Sequence, residues 1–211
     1  DASDVVVYKG IPYAAPPVGD LRWKAPQPVE AWKGVRLCDS WGDASLQGGQ
    51  QEGSFYWKEF YQGKAPKMSE DCLYLNVWKP ADAKAGDKLP VMVWIHGGAY
   101  QNGYGYEEEF DGTAFAHQGV ILITVNYRLG MCGFLAHPLL SAESDGTGSG
   151  NYGLLDQLEA LRWVNRNIEA FGGDKGCVTL FGQSAGAGSV QSLLSSPLTK
   201  GLVHRAIIQS G

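Results

Sequence analysis

Cysteine, basic charge and long apolar runs are all scarce in this chain of 211 residues. The four cysteines, Cys38, Cys72, Cys132 and Cys177, form no Cys-x-x-Cys pair and have no histidine at zinc-ligand spacing, so no metal framework is written in the sequence. Their even number permits two disulfides. A chain with this much core does not need them, and all four are expected to be reduced. Lys and Arg total 17 against 22 Asp and Glu, a net charge of −5, which lacks the basic excess that a phosphate backbone requires. Nucleic acid is thereby set aside as a partner. The longest charge run is acidic, Glu107-Glu108-Glu109, and reads as a solvated loop. The longest apolar candidate, Gly119 to Val125, falls far short of the roughly 20 residues of a membrane span, so no transmembrane segment is expected. No Asn-x-Ser/Thr site occurs, which argues against a glycosylated secreted protein. The chain starts at Asp1 rather than Met, so its compartment stays open.

Apolar residues are not scarce. With 44% hydrophobic and 18% charged residues, a chain of this length buries roughly 70% of its unfolded surface, and disorder is excluded. Glycine is abundant at 29 residues, as is tryptophan at 7. The glycines form no repeat or low-complexity tract; they cluster beside apolar runs, which points to tight turns and close backbone approach.

Residues 1–80 read as loop-rich and proline-punctuated, with strand alternation only from Leu73 to Trp78. Downstream, Pro90–Ile95 and Val120–Val125 are continuous apolar runs, as expected of strands covered on both faces. Leu154, Leu158, Leu161, Val164, Ile168 and Phe171 follow helical spacing, stopped by Gly172-Gly173. Val178–Phe181 predicts a third strand, Val190–Leu194 lies in a helix, and Ala206–Ile208 predicts a fourth strand. This alternation implies an α/β fold with a mostly parallel central sheet and helices on both faces.

Two motifs carry chemistry. Gly182-Gln183-Ser184-Ala185-Gly186 fits Gly-x-Ser-x-Gly, a weak string by itself, but a strand runs into it and a small-residue helix start follows, the setting of a nucleophile elbow. The second is His96-Gly97-Gly98-Ala99-Tyr100, directly after the strand ending at Ile95. Attack on an ester carbonyl builds negative charge on oxygen, and fixed backbone N–H groups that meet it are worth about 3 kcal/mol each. Small residues leave such groups uncovered. The N–H after the nucleophile, that of Ala185, is a further expected donor. A third string, Gly148-Ser149-Gly150-Asn151-Tyr152-Gly153, matches the dinucleotide fingerprint, but polar residues 142–147 precede it where that site needs a strand.

With these motifs in place the sequence resembles the type-B carboxylesterase and cholinesterase-like group of α/β-hydrolases, in a bacterial type, over nearly its whole length. The resemblance rests on Gly10-Ile11-Pro12-Tyr13-Ala14, Pro16-Pro17-Val18-Gly19-Asp20-Leu21-Arg22-Trp23, Ser69-Glu70-Asp71-Cys72-Leu73, Asn126-Tyr127-Arg128, Gly153-Leu154-Leu155-Asp156-Gln157 and the elbow. It implies a serine ester hydrolase acting on a small-molecule ester without cofactor or metal. Ser184 would be the acyl-forming nucleophile, Gly98, Ala99 and Ala185 the oxyanion donors, and Gly97 would shape the turn. It also implies that Arg128–Asp156 and Arg22–Glu70 are structural ion pairs rather than catalytic acids. Gln183 replaces the glutamate of cholinesterases, and Gln62 stands where they carry a choline-binding tryptophan, so choline specificity loses support. The stretch Gly48–Gln51 stands where animal members place the cysteine that pairs with Cys72, which is therefore expected to stay a thiol. Phe55, Tyr56, Trp57, Phe60 and Tyr61 either wall a pocket or are buried under a long loop.

The triad order Ser, then Asp/Glu, then His is not completed after Ser184: no Asp or Glu follows, and His204 sits at an ordinary position. His96 belongs to the oxyanion turn, and His117 and His137 read as packing or surface residues. The base and its acid are expected beyond Gly211, with residues 1–211 forming the N-terminal part of one α/β-hydrolase domain and inactive alone. The same group holds non-catalytic adhesion proteins, which have lost the serine, and lipases; both stay open as alternatives, as does oligomeric state.

Overall fold

The computed structural model describes residues 4–61, 63–144, 146 and 148–211. In chain order its strands are β1 (Val5–Pro12), β2 (Ala44–Ser45), β3 (Met68–Ser69), β4 (Tyr74–Pro80), β5 (Leu89–Ile95), β6 (Ile121–Val125), β7 (Gly173–Gln183) and β8 (Arg205–Gln209). Its α-helices are α1 (Phe55–Glu59), α2 (Thr113–His117), α3 (Gly130–Phe134), α4 (Pro138–Ala142), α5 (Tyr152–Asn167) and α6 (Ala185–Ser195). Six strands form one sheet in the order β1-β4-β6-β5-β7-β8, and β2 pairs with β3 separately. The β6-β5-β7-β8 half is parallel, while β4 runs antiparallel to both β1 and β6. The sheet is thus mostly parallel, as the alternation of strands and helices implied.

The continuous apolar runs are explained by their position. β6 lies inside the sheet and is buried along its whole length, so neither face tolerates polarity beyond Thr124. Val91, Val93, Ile95, Ile121, Ile123 and Val125 pack with Leu158, Leu161 and Val164 of α5 on one face. Met92, Trp94, Leu122, Trp78 and Phe181 cover the other face with Phe115 of α2. α5 ends where expected: a 3-10 turn over Ile168–Phe171 leads to Gly172 at φ 93°, a left-handed stop.

The described residues of the first eighty are more structured than they read. β1 is an eight-residue strand that the prolines and glycines obscured, because a register shift between Tyr8 and Ile11 breaks its alternation. β4 shows alternation in sequence but is buried on both faces, and its Asn76 is satisfied by a hydrogen bond donated to Thr124 Oγ1 (3.1 Å) and one accepted from the Gly10 N–H (3.0 Å).

The two ion pairs are present. Arg128 grips Asp156 with two guanidinium bonds (2.8 and 2.6 Å) and its own backbone N–H (3.1 Å), and both side chains are almost fully buried. Arg22 holds Glu70 in a bidentate pair at the surface, its second bond 2.6 Å long, and that pairing keeps the Glu70 carboxyl below the usual carboxylate range. All four cysteines are free thiols. Cys72 is fully buried and meets the side chain of Ser45 of β2. No helix among the described residues is long and apolar enough to cross a membrane.

Candidate active site

β7 delivers the chain into the turn at Ser184, and α6 leaves from it. Ser184 adopts φ 56°, ψ −123°, a conformation that costs a non-glycine residue about 1–3 kcal/mol. The turn is held from both sides: the Ser184 N–H donates to the Gln209 carbonyl of β8 (2.9 Å), and the Ser184 carbonyl accepts from the Gly188 N–H (3.0 Å). Such a sharp turn forces α6 against β5. A Cβ on Gly186 would lie 2.0 Å from the Ile95 carbonyl oxygen, and one on Gly182 would lie 2.6 Å from the Gly186 carbonyl. The glycines of the motif are therefore set by close approach, and Ser184 lines a cavity of about 680 Å³.

The His96–Tyr100 turn faces the elbow. Gly97 lies so close that a Cβ there would be 2.8 Å from the Gln183 carbonyl oxygen and 3.2 Å from Ser184 Cβ. Gly98, Ala99 and Tyr100 all have positive φ (103°, 55° and 60°), a run that curls the backbone so that the Gly98 carbonyl accepts both the Gln101 and Asn102 N–H groups (2.9 Å each). Among the described residues, the N–H groups of Gly98 and Ala99 make no hydrogen bond. Ala185 is the first residue of α6, and its N–H is one of those a helix start leaves without an internal acceptor. Ser184, Gly97, Gly98 and Ala99 line the same cavity, with Ala185 adjoining the serine.

The histidines lie elsewhere. His96 is fully buried beneath the turn, stacked on Tyr127 at 4.4 Å with its Nδ1 against the Gly97 carbonyl, and burial pushes its pKa down to about 4. His117 and His137 are exposed, the latter receiving the Leu139 N–H at the start of α4. His204 receives the Val178 N–H. Val178 lies upstream on β7, about 20 Å from Ser184 at strand rise. None of the four lines the cavity at Ser184.

The structure adds residues that sequence patterns did not single out. Trp94 and Phe110 pack at 5.0 Å on one wall, and Tyr56, Phe60 and Tyr61 line another, which answers the open question about the aromatic cluster: these three border the cavity, Tyr61 buried and Tyr56 exposed. Glu107 corrects the reading of the acidic run as solvated. It is buried at the cavity wall, accepts the Tyr104 N–H (3.0 Å), and burial pushes its carboxyl up to about 7. Composition could not reveal this, since Glu108 beside it is exposed. Gln62 lies outside the described residues, as do Asp145 and Thr147 of the loop before the glycine-rich string. Among the described residues of 142–147, Ala142 ends α4 and the others form turns rather than a strand, so the dinucleotide match lacks its setting.

A family model described as the carboxylesterase family matches residues 1–211. The chain belongs to this family. It is 49% identical over 212 residues to the fumonisin B1 esterase of Sphingopyxis macrogoltabida, covering 98% of this chain and 37% of that protein. It is 48% identical over 205 residues to the para-nitrobenzyl esterase of Bacillus subtilis (strain 168), covering 97% of this chain and 40% of that protein. Among solved structures, a thermophilic PNB esterase superimposes with a TM-score of 0.87 at 45% identity, covering the whole of this chain and 41% of the other. The fold of this carboxylesterase-family chain is accordingly that of the α/β-hydrolases. The chain spans about two-fifths of the length of these relatives.

Proposed function

We propose that this chain carries the nucleophile and oxyanion donors of a serine carboxylesterase. The observation that supports this reading best is the juxtaposition of a strained Ser184 with the Gly97–Ala99 turn in one cavity. In this reading Ser184 Oγ attacks the ester carbonyl as a base takes its proton. The carbonyl oxygen becomes an oxyanion held by the Gly98, Ala99 and Ala185 N–H groups, the alcohol departs with the proton, and water then hydrolyses the acyl-enzyme. Each lost donor would cost about 10²–10³ in rate. In this reading the base and its orienting acid come from residues outside 1–211, since none of the four histidines lines the cavity at Ser184 and Asp156 is committed to Arg128. Residues 1–211 are then the N-terminal part of the catalytic domain, and the exposed edge strand β8, with Ile207 and Ile208 uncovered, is where the rest of the sheet continues.

The relatives' names, carboxylesterase and para-nitrobenzyl esterase, support a small-molecule ester as substrate. The retained serine and turn speak against a non-catalytic adhesion role. The test uses the whole protein with a p-nitrophenyl ester and an organophosphonate probe. Ester turnover and covalent labelling of the Ser184 peptide are expected, both lost in Ser184→Ala. Turnover that survives the substitution would overturn the reading.

A further inference from the structure

We infer that Gln47 is a positioning residue for the oxyanion turn, an inference that rests on the serine-esterase reading above. Gln47 lies just beyond β2, remote in sequence from the oxyanion turn and from Ser184, yet its amide is fully engaged, with both its oxygen and its nitrogen on Gly103. Its Oε1 accepts the Gly103 N–H (2.8 Å) and the Tyr61 hydroxyl (3.0 Å). Its Nε2 donates to the Gly103 carbonyl (3.0 Å) and to the Ser45 carbonyl (3.2 Å). Two acceptor positions and two N–H donors are thus all used, which only a primary amide can do at this spot.

Gly103 is the point where this grip reaches the turn. At φ 108° it packs so tightly that a Cβ would lie 2.5 Å from His96 Nδ1 and 2.9 Å from the Gly97 carbonyl oxygen. One residue earlier, the Asn102 N–H donates to the Gly98 carbonyl (2.9 Å), and a Cβ on Gly98 would lie 2.0 Å from the Asn102 carbonyl oxygen. Residues 96–98 and 102–103 therefore shift as one body. Holding Gly103 at both its N–H and its carbonyl fixes the N–H groups of Gly98 and Ala99 relative to Ser184. Tyr61, on the cavity wall, is tied to the same amide, so wall and turn share one anchor.

An oxyanion donor displaced by about 1 Å loses most of its stabilisation of the transition state while substrate still binds. In the whole protein, Gln47→Glu and Gln47→Ala are expected to lower kcat about 10- to 100-fold with KM changed less than about threefold. Affinity for a trifluoromethyl ketone inhibitor, which forms the tetrahedral adduct with the serine, should weaken in parallel with kcat/KM. Tyr61→Phe, which removes one bond of four, should cost no more than about fivefold. If Gln47→Ala does not fold, Gln47→Glu decides alone: it keeps the size and the acceptor but cannot donate to Gly103 and Ser45. A kcat within twofold of wild type in the folded variant, or a loss confined to KM, would overturn the inference. Ser184→Ala run alongside separates the two readings. Activity that survives in Ser184→Ala sinks both, whereas Ser184-dependent activity unaffected by Gln47 sinks this one only.

Discussion

Replacing Glu107 with glutamine should stabilise the protein at alkaline pH and remove part of its pH dependence. Glu107 is 8% exposed, and its carboxylate receives one backbone N–H, that of Tyr104. Among the described residues no Lys or Arg forms an ion pair with it, and the groups around it are Tyr104, Tyr61, Tyr127 and the like-charged Glu109. Burial, opposed by the Tyr104 hydrogen bond, raises the carboxyl from 4.5 to about 7. At 1.36 kcal/mol per pKa unit this difference corresponds to about 3 kcal/mol. The sign follows from proton binding: between these two values the folded state holds the proton more tightly than the unfolded chain. The stabilisation is therefore complete below pH 4.5 and lost as pH rises through about 7. The side-chain amide of the Glu107→Gln variant would still accept the Tyr104 N–H but would never ionise. Urea unfolding of wild type and variant at pH 5, 6, 7 and 8.5 reads the effect. The variant should gain about 1–3 kcal/mol relative to wild type between pH 5 and pH 8.5. Parallel stability curves across that range would refute a buried, raised carboxyl at this wall.

Asp156→Asn breaks a pair whose side chains are 3% and 0% exposed and leaves the Arg128 charge buried, so it should cost about 3–5 kcal/mol in unfolding experiments. A loss below about 1 kcal/mol would contradict the structural role of the pair. Gly186→Ala would drive a methyl group into the Ile95 and His96 carbonyl oxygens, neither of which can rotate away. It should destabilise the protein by about 1–3 kcal/mol and slow organophosphonate labelling of Ser184 at least tenfold, and labelling at the wild-type rate would show that the elbow tolerates a wider turn. Cys72 is fully buried, and burial pushes its thiol far above the ordinary range. At pH 8 it should resist iodoacetamide in the native protein and react only on unfolding, as mass spectrometry of the Cys72 peptide would show.

Much of the fold was legible because its signals are local. A strand buried on both faces must be apolar throughout, as Ile121–Val125 is, and α5 must repeat its apolar residues at helical spacing. The elbow was legible for the same reason: a strand-to-helix turn with a non-glycine residue at its tip needs small residues on either side, and Gly182 and Gly186 supply them within five positions. β1 was not legible, because it is a partly covered strand with a register shift, and its pairing with β4 joins residues far apart in the chain.

The sequence alone determined that residues 96–100 and 182–186 are tight, glycine-dependent turns at strand ends, since backbone strain and steric crowding act between neighbours. Only the tertiary structure decided that these two turns face each other across one cavity, because sheet order sets β5 beside β7 and no local rule contains that order. It likewise decided that Glu107 is buried while Glu108 is exposed, and that the Gln47 amide closes on Gly103. Burial and hydrogen-bond partnership are properties of the packed chain, and a residue's type limits them without choosing among them.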